Sequence, residues 1–135
     1  MHFMYVALLR GVNVGGKNIL PMEDLASMFT AAGCTNVRTY IQSGNVVFMA
    51  GRALARRIPA EISSAIADRF GFQVPVVLRT ADELREVAQG NPFLITGADV
   101  ATLSVAFLAD VPDAAGVTRL DPNRSLPDVF AVSGR

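Results

Sequence analysis

The chain has 135 residues, with twelve basic residues against twelve acidic ones and a formal net charge of zero at pH 7. That length supports one domain, or two small subdomains sharing a core, without help from metals or disulfides, and the balanced charge gives no global field toward nucleic acid or anionic lipid. A single cysteine, Cys34, excludes an intrachain disulfide and points to a reducing, cytoplasmic compartment, while no run approaches the roughly 18 apolar residues of a membrane span and no export signal opens the chain.

The first element, "HFMYVALL", reads as a strand with Phe3, Tyr5 and Ala7 on one face and Met4, Val6 and Leu8 on the other. Apolar on both sides, it should be central and covered on both. After a glycine-rich loop, Pro21 suits a first helical position, and Glu23 and Asp24 suit the positive end of the helix dipole. Met22, Leu25, Phe29 and Ala32 then form an apolar stripe that Gly33 ends. "VRTYIQSGNVVFMA" reads as two strands around a tight Ser43-Gly44 turn. Leu54, Ile58, Ile62, Ile66 and Phe70 recur at helical spacing up to Gly71, with Pro59 either starting or kinking that helix. "FQVPVVLR" is a fourth strand, with Pro75 arguing for an edge or an irregular start.

The order through residue 79 is therefore strand, helix, strand, strand, helix, strand. It predicts an α+β protein with a ferredoxin-like split βαββαβ antiparallel sheet, both helices on one face. Residues 80–135 are expected to form a second, smaller α+β subdomain packed on the first. Thr80 and Glu83 form a capping box that opens a third helix; "TLSVAFLA" and "DVFAVSG" read as strands, with a short helix over Pro112–Leu120 between them. A chain that stops just after a strand leaves that strand unpaired. This suggests a longer natural product, or a homodimer formed through the C-terminal strand.

The loop "RGVNVGGKN" almost matches a nucleotide-binding P-loop: Gly11, Gly16 and Lys17 fit, but Asn18 stands where a magnesium-binding hydroxyl belongs. Ile19 and Leu20 also separate Lys17 from the helix start, so the lysine and the helix dipole cannot converge on one phosphate. A nucleotide triphosphatase is therefore disfavoured. What survives is an anion nest: Gly11, Gly15 and Gly16 permit positive φ, and Arg10 and Lys17 flank the concavity with charge. The plainer alternative is a tight turn in which Asn13 and Asn18 bond to local backbone.

The remaining features are thin. Ser43 and Asn45 are secondary candidates in the second turn, whose expected place at the opposite end of the strands from the loop argues against one composite site. His2 and Cys34 offer neither a zinc set nor a Cys-His pair, and Cys34 reads as a buried, inert thiol. Arg52, Arg56 and Arg57 form a basic patch at a helix start. The fold also raises RNA recognition, with Phe48 placed to stack a base, although the glycine and basic positions of the RNA signature are missing.

"YVALLRGVNVGGKN" followed by "PMEDL", then "VRTYIQSGNVVF", "RFGFQVPVVLRT", "NPF" and "VAFL", resemble in order the bacterial family catalogued as domain of unknown function 1697. The resemblance implies an α+β protein of two subdomains, the first ferredoxin-like, and no established activity. It also implies a continuation past the position of Arg135, with a strand completing a hairpin and then a basic helical segment.

These readings converge on a small binding module that holds a phosphate-like or other anionic ligand at Arg10, Gly11, Asn13, Gly15, Gly16, Lys17 and Asn18, with no metal, cofactor or membrane partner. The alternative is an RNA- or DNA-contacting domain using Arg10, Lys17 and the Arg52 to Arg57 patch. A phosphoryl- or acyl-transfer enzyme comes last, because no nucleophile and base pair is visible.

Overall fold

In β1 (Phe3–Leu9) every second side chain is buried: Tyr5, Ala7 and Leu9. Met4 is half exposed and Val6 and Leu8 are only partly covered, so the two apolar faces of this strand are unequal. β3 (Asn45–Ala50) runs antiparallel beside it and turns Val46, Phe48 and Ala50 to the same buried side. β4 (Val76–Thr80) pairs antiparallel with the other edge of β1, and β2 (Thr35–Tyr40) lies outside β3. The order β2-β3-β1-β4, with all neighbours antiparallel, is the split βαββαβ sheet expected from the sequence.

Two helices cover the buried side, α1 (Met22–Ala31) through Leu25 and Phe29 and α2 (Arg52–Phe70) through Ala55, Ile58, Ile62 and Ile66. The centre is aromatic: the Phe48 ring lies 5.1 Å from Phe29 and 5.7 Å from Tyr5. Each fully buried Ile, Leu or Phe of this layer contributes about 1.5–3 kcal/mol. The computed structural model describes all 135 residues, and none of its helices is long and apolar enough to cross a membrane.

Local chemistry sets the helix ends. After α1 the Cys34 N–H reaches back to the Phe29 carbonyl and Gly33, at φ 110°, donates to Thr30, which is a Schellman stop. Pro59 neither starts α2 nor ends it; the helix begins at Arg52 and passes through the proline, forgoing the bond that residue would have made to the Ala55 carbonyl. Gly71, at φ 79°, closes it by donating to Ala67. In α3 (Ala81–Gln89) the capping box forms in both directions: Glu83 N–H donates to the Thr80 hydroxyl and Thr80 N–H to the Glu83 carboxylate, each at 3.0 Å.

The chain divides into two compact units, Met1–Val87 and Ala88–Arg135. The second holds short helical pieces, α4 (Pro92–Ile95), a 3-10 turn (Val100–Thr102) and α5 (Ala114–Thr118), started by the side chains of Asn91, Asp99 and Asp113 respectively. The two strands expected there, over "TLSVAFLA" and "DVFAVSG", do not form. Apolar runs of strand length become strands only where another segment supplies a hydrogen-bonding ladder, and neither run joins the four-stranded sheet. No side chain of this unit is fully buried.

Candidate functional site

β1 finishes beside the first residue of β3 and the first of β4: Leu8 pairs with Asn45, and Leu9 with Val76. The loop that leaves β1 and the turn that precedes β3 therefore share one end of the sheet, correcting the expectation that they lie at opposite ends. The reason is topological. A helix connects β1 to β2, so these two strands run parallel, and the turn after β2 returns to the end where β1 exits.

They also touch. Leu9 N–H donates to the Gly44 carbonyl at 3.1 Å, and a Cβ built on Gly44 would lie 2.6 Å from Val12 Cγ2 and 3.1 Å from Leu9 Cβ. Only glycine permits that approach, and its φ of 77° demands it as well. The turn spans residues 41–44, because Tyr40 and Asn45 are the last pair of the ladder, so it is longer than the tight Ser43-Gly44 turn expected.

Within the loop, Asn13 N–H donates to Asn18 and Lys17 N–H to Val14, at 3.1 and 3.0 Å. Gly15 and Gly16 stand between them at φ 59° and 73°, the signature of a type I′ turn. The asparagines pin this miniature hairpin in place. Asn13, at φ 54°, donates through Nδ2 to the Leu20 and Gln42 carbonyls and accepts the Leu20 N–H at 2.8 Å. Asn18, at φ 51°, donates to the Gly11 carbonyl at 3.0 Å. Their side chains hold the loop together, which leaves Arg10, Lys17 and the glycine backbone as the groups open to a ligand.

Arg10 and Lys17 are exposed. No carboxylate lies on the loop or the turn, and Glu23 and Asp24 are the only acidic residues among the first 60. Asp24 is held by Arg69 at 3.1 Å. This local excess of positive charge is hidden by the neutral total, and a count by segment would have found it. Beyond Gly11, Gly15 and Gly16 the space is open. The N–H groups of Gly15 and Gly16 donate to nothing within the chain. Ser43 donates its hydroxyl to the Tyr40 carbonyl at 2.6 Å, and Asn45 is half-buried within the ladder.

The structure also separates residues that the nucleic-acid alternative needs together. α2 begins where β3 ends, and Ala50 there pairs with Phe3, so Arg52, Arg56 and Arg57 lie at the far end of the sheet from Arg10 and Lys17. Arg52 sits over the Phe3 ring at 4.9 Å, and Arg57 pairs with Glu61 at 3.7 Å. Phe48 is fully buried between Tyr5 and Phe29. The expected base-stacking role for it fails because strand alternation turns it toward the helices.

Two other features carry less chemistry. Cys34 is buried, and burial, with a smaller contribution from the Glu61 charge, pushes its thiol from 9.0 up to about 11; the thiolate is suppressed at neutral pH. In the second unit a cleft of about 240 Å³ is lined by Arg119, Asp121, Arg124, Asp128 and Phe130, where opposite charges cancel.

The sequence model of a family described as "Protein of unknown function (DUF1697)" matches residues 3–135. Among solved structures the chain is similar to a conserved bacterial protein, SP0830 from Streptococcus pneumoniae, with a TM-score of 0.62 and 26% sequence identity. The likeness covers 74% of this chain and 55% of that one, so the chain spans little more than half the length of its neighbour. No curated protein matches it.

Proposed function

Since the chain belongs to the DUF1697 family, which carries no activity in its description, a function has to be argued from the site, and we propose that it is a binding module for an anionic group at the loop from Arg10 to Asn18. The observation that carries this reading is a backbone fixed by its own asparagine side chains, presenting Arg10, Lys17 and the unengaged Gly15 and Gly16 amides from a loop that contains no carboxylate. Pre-organised amides and cations of this kind favour a phosphate or carboxylate because little ordering entropy remains to be lost on binding. Binding is favoured over catalysis because the Ser43 hydroxyl is committed to the Tyr40 carbonyl, and neither loop nor turn holds a histidine or a carboxylate to act as base. With a single cysteine, Cys34, and so no intrachain disulfide, the chain suits a reducing, cytoplasmic setting.

The test is an amide-resolved NMR titration of the whole chain with inorganic phosphate and with nucleotides. Saturable shifts at Gly11, Gly15 and Gly16, lost in Lys17→Ala while the remaining spectrum is unchanged, are the expected result. Silent glycines would overturn the reading. Asn13→Ala serves as the positioning control: losing three hydrogen bonds to Leu20 and Gln42 should abolish the shifts and lower unfolding stability by about 1–3 kcal/mol.

A further inference from the structure

The loop and turn end of the first unit exposes apolar side chains that an anion site alone does not need. Val14, Ile19, Tyr40 and Ile41 are 65%, 59%, 66% and 69% exposed. The Asn13 amide binds the Leu20 and Gln42 carbonyls together, which brings their chain neighbours Ile19 and Ile41 to the same place. Ile41 stands at φ 47°. A β-branched residue rarely adopts that conformation, and such an outlier persists only where the surroundings enforce it. Strain, with an aliphatic side chain left 69% exposed as its outcome, gives nothing to the fold of the free protein.

The segments that carry these residues hold only positive charge. Arg10 and Lys17 flank them on the loop, Arg38 is exposed at the alternate position of β2 from Tyr40, and neither loop, strand nor turn contains an acidic residue. We propose that this end of the first unit is a docking surface for an acidic, aliphatic segment of another protein, whose carboxylates meet Arg10 and Lys17 while its apolar side chains cover Ile19 and Ile41. The proposal rests on the anion reading of the same loop and extends it from a small ion to a polypeptide. The Gly15 and Gly16 amides donate to nothing within the chain, and the carbonyls and carboxylates of a peptide satisfy them; headgroup phosphates are the competing acceptors, which the vesicle arm of the test separates. Side-chain type favours a peptide over a nucleic-acid strand, because three of the four exposed side chains, Val14, Ile19 and Ile41, are aliphatic and Tyr40 alone offers a ring on which a base can stack.

The experiment uses the whole chain and four probes. These are a pool of synthetic peptides built from Glu, Asp, Leu and Ile, a pool of equal charge built from Glu, Asp and Ser, vesicles of phosphatidylserine, and inorganic phosphate, each titrated with amide-resolved NMR. The expected result is saturable shifts at Val14, Ile19, Tyr40 and Ile41 with the acidic aliphatic pool, weaker by about tenfold with the acidic serine pool. Ile41→Gly should lose this difference between the pools while leaving the fold intact, since glycine relaxes the positive φ; Val14→Ser provides a second variant that leaves the strained backbone untouched. Equal response to the two pools, or a stronger response to vesicles, overturns the docking surface. Phosphate shifts at the glycines in that case leave the anion site standing alone, and their absence removes both.

Discussion

Gly44 and Gly15 both stand at positive φ, 77° and 59°, yet they do so for different reasons. A methyl group on Gly44 meets Val12 and Leu9, whereas one on Gly15 meets nothing within 4 Å. Gly15→Ala should therefore cost only the backbone strain, about 1 kcal/mol, while Gly44→Ala should cost roughly 3 kcal/mol because the loop must also move off the turn. Urea unfolding of the two variants checks the ordering. The buried thiol offers a second test at this scale. Its pKa is raised from 9.0 to about 11, so the unfolded chain releases the Cys34 proton first as pH rises. The native state keeps this advantage below pH 9 and loses it progressively between about 9 and 11. Cys34→Ala should remove that part of the pH dependence, and the native wild-type thiol should resist a disulfide reagent at pH 8 until the protein unfolds.

At the level of elements, capping and helix interior act in opposite directions. The reciprocal Thr80 and Glu83 bonds satisfy the start of α3, and Thr80→Ala should lower stability by about 1 kcal/mol. Pro59 sits inside α2 without a compensating contact of its own in the hydrogen-bond ladder, so Pro59→Ala should raise stability by roughly 1–3 kcal/mol. Thermal unfolding followed by circular dichroism measures both. The hairpin and the loop after β1 show what element order alone conveys. The strand, helix, strand, strand, helix, strand sequence was legible from apolar spacing and from Gly33 and Gly71. The adjacency of the loop and the turn was already implied by that order, because a helical connection makes β1 and β2 parallel.

For the whole molecule, all of the fully buried side chains lie at or before Arg79, inside the unit Met1–Val87. A chain of residues 1–87 should therefore keep the sheet, with a dispersed amide spectrum and cooperative unfolding, whereas residues 88–135 alone should show neither. A collapsed spectrum for 1–87 would mean that the core depends on the second unit. Charge distribution belongs to this scale as well. Six of the twelve basic residues but only two of the twelve acidic ones fall within the first 60 positions, so a neutral molecule carries a basic N-terminal segment, whose cations the fold divides between the two ends of the sheet.

From the sequence alone came the element order, the α+β class, the helix stops, the capping box and the inert cysteine, because each depends on neighbours a few residues away. The strong candidates of the first loop were legible for the same reason: glycines that permit positive φ and asparagines that bond to backbone advertise a built turn. Three things waited for the tertiary structure. Phe48 faces the helices because the register of β1 against β3 assigns its side of the sheet. The runs "TLSVAFLA" and "DVFAVSG" stay irregular, outside the four-stranded ladder, because a strand needs long-range pairing that no local pattern supplies. The loop and turn become one surface, with Val14, Ile19, Tyr40 and Ile41 exposed around Arg10 and Lys17, because long-range strand pairing brings together segments that no local pattern connects.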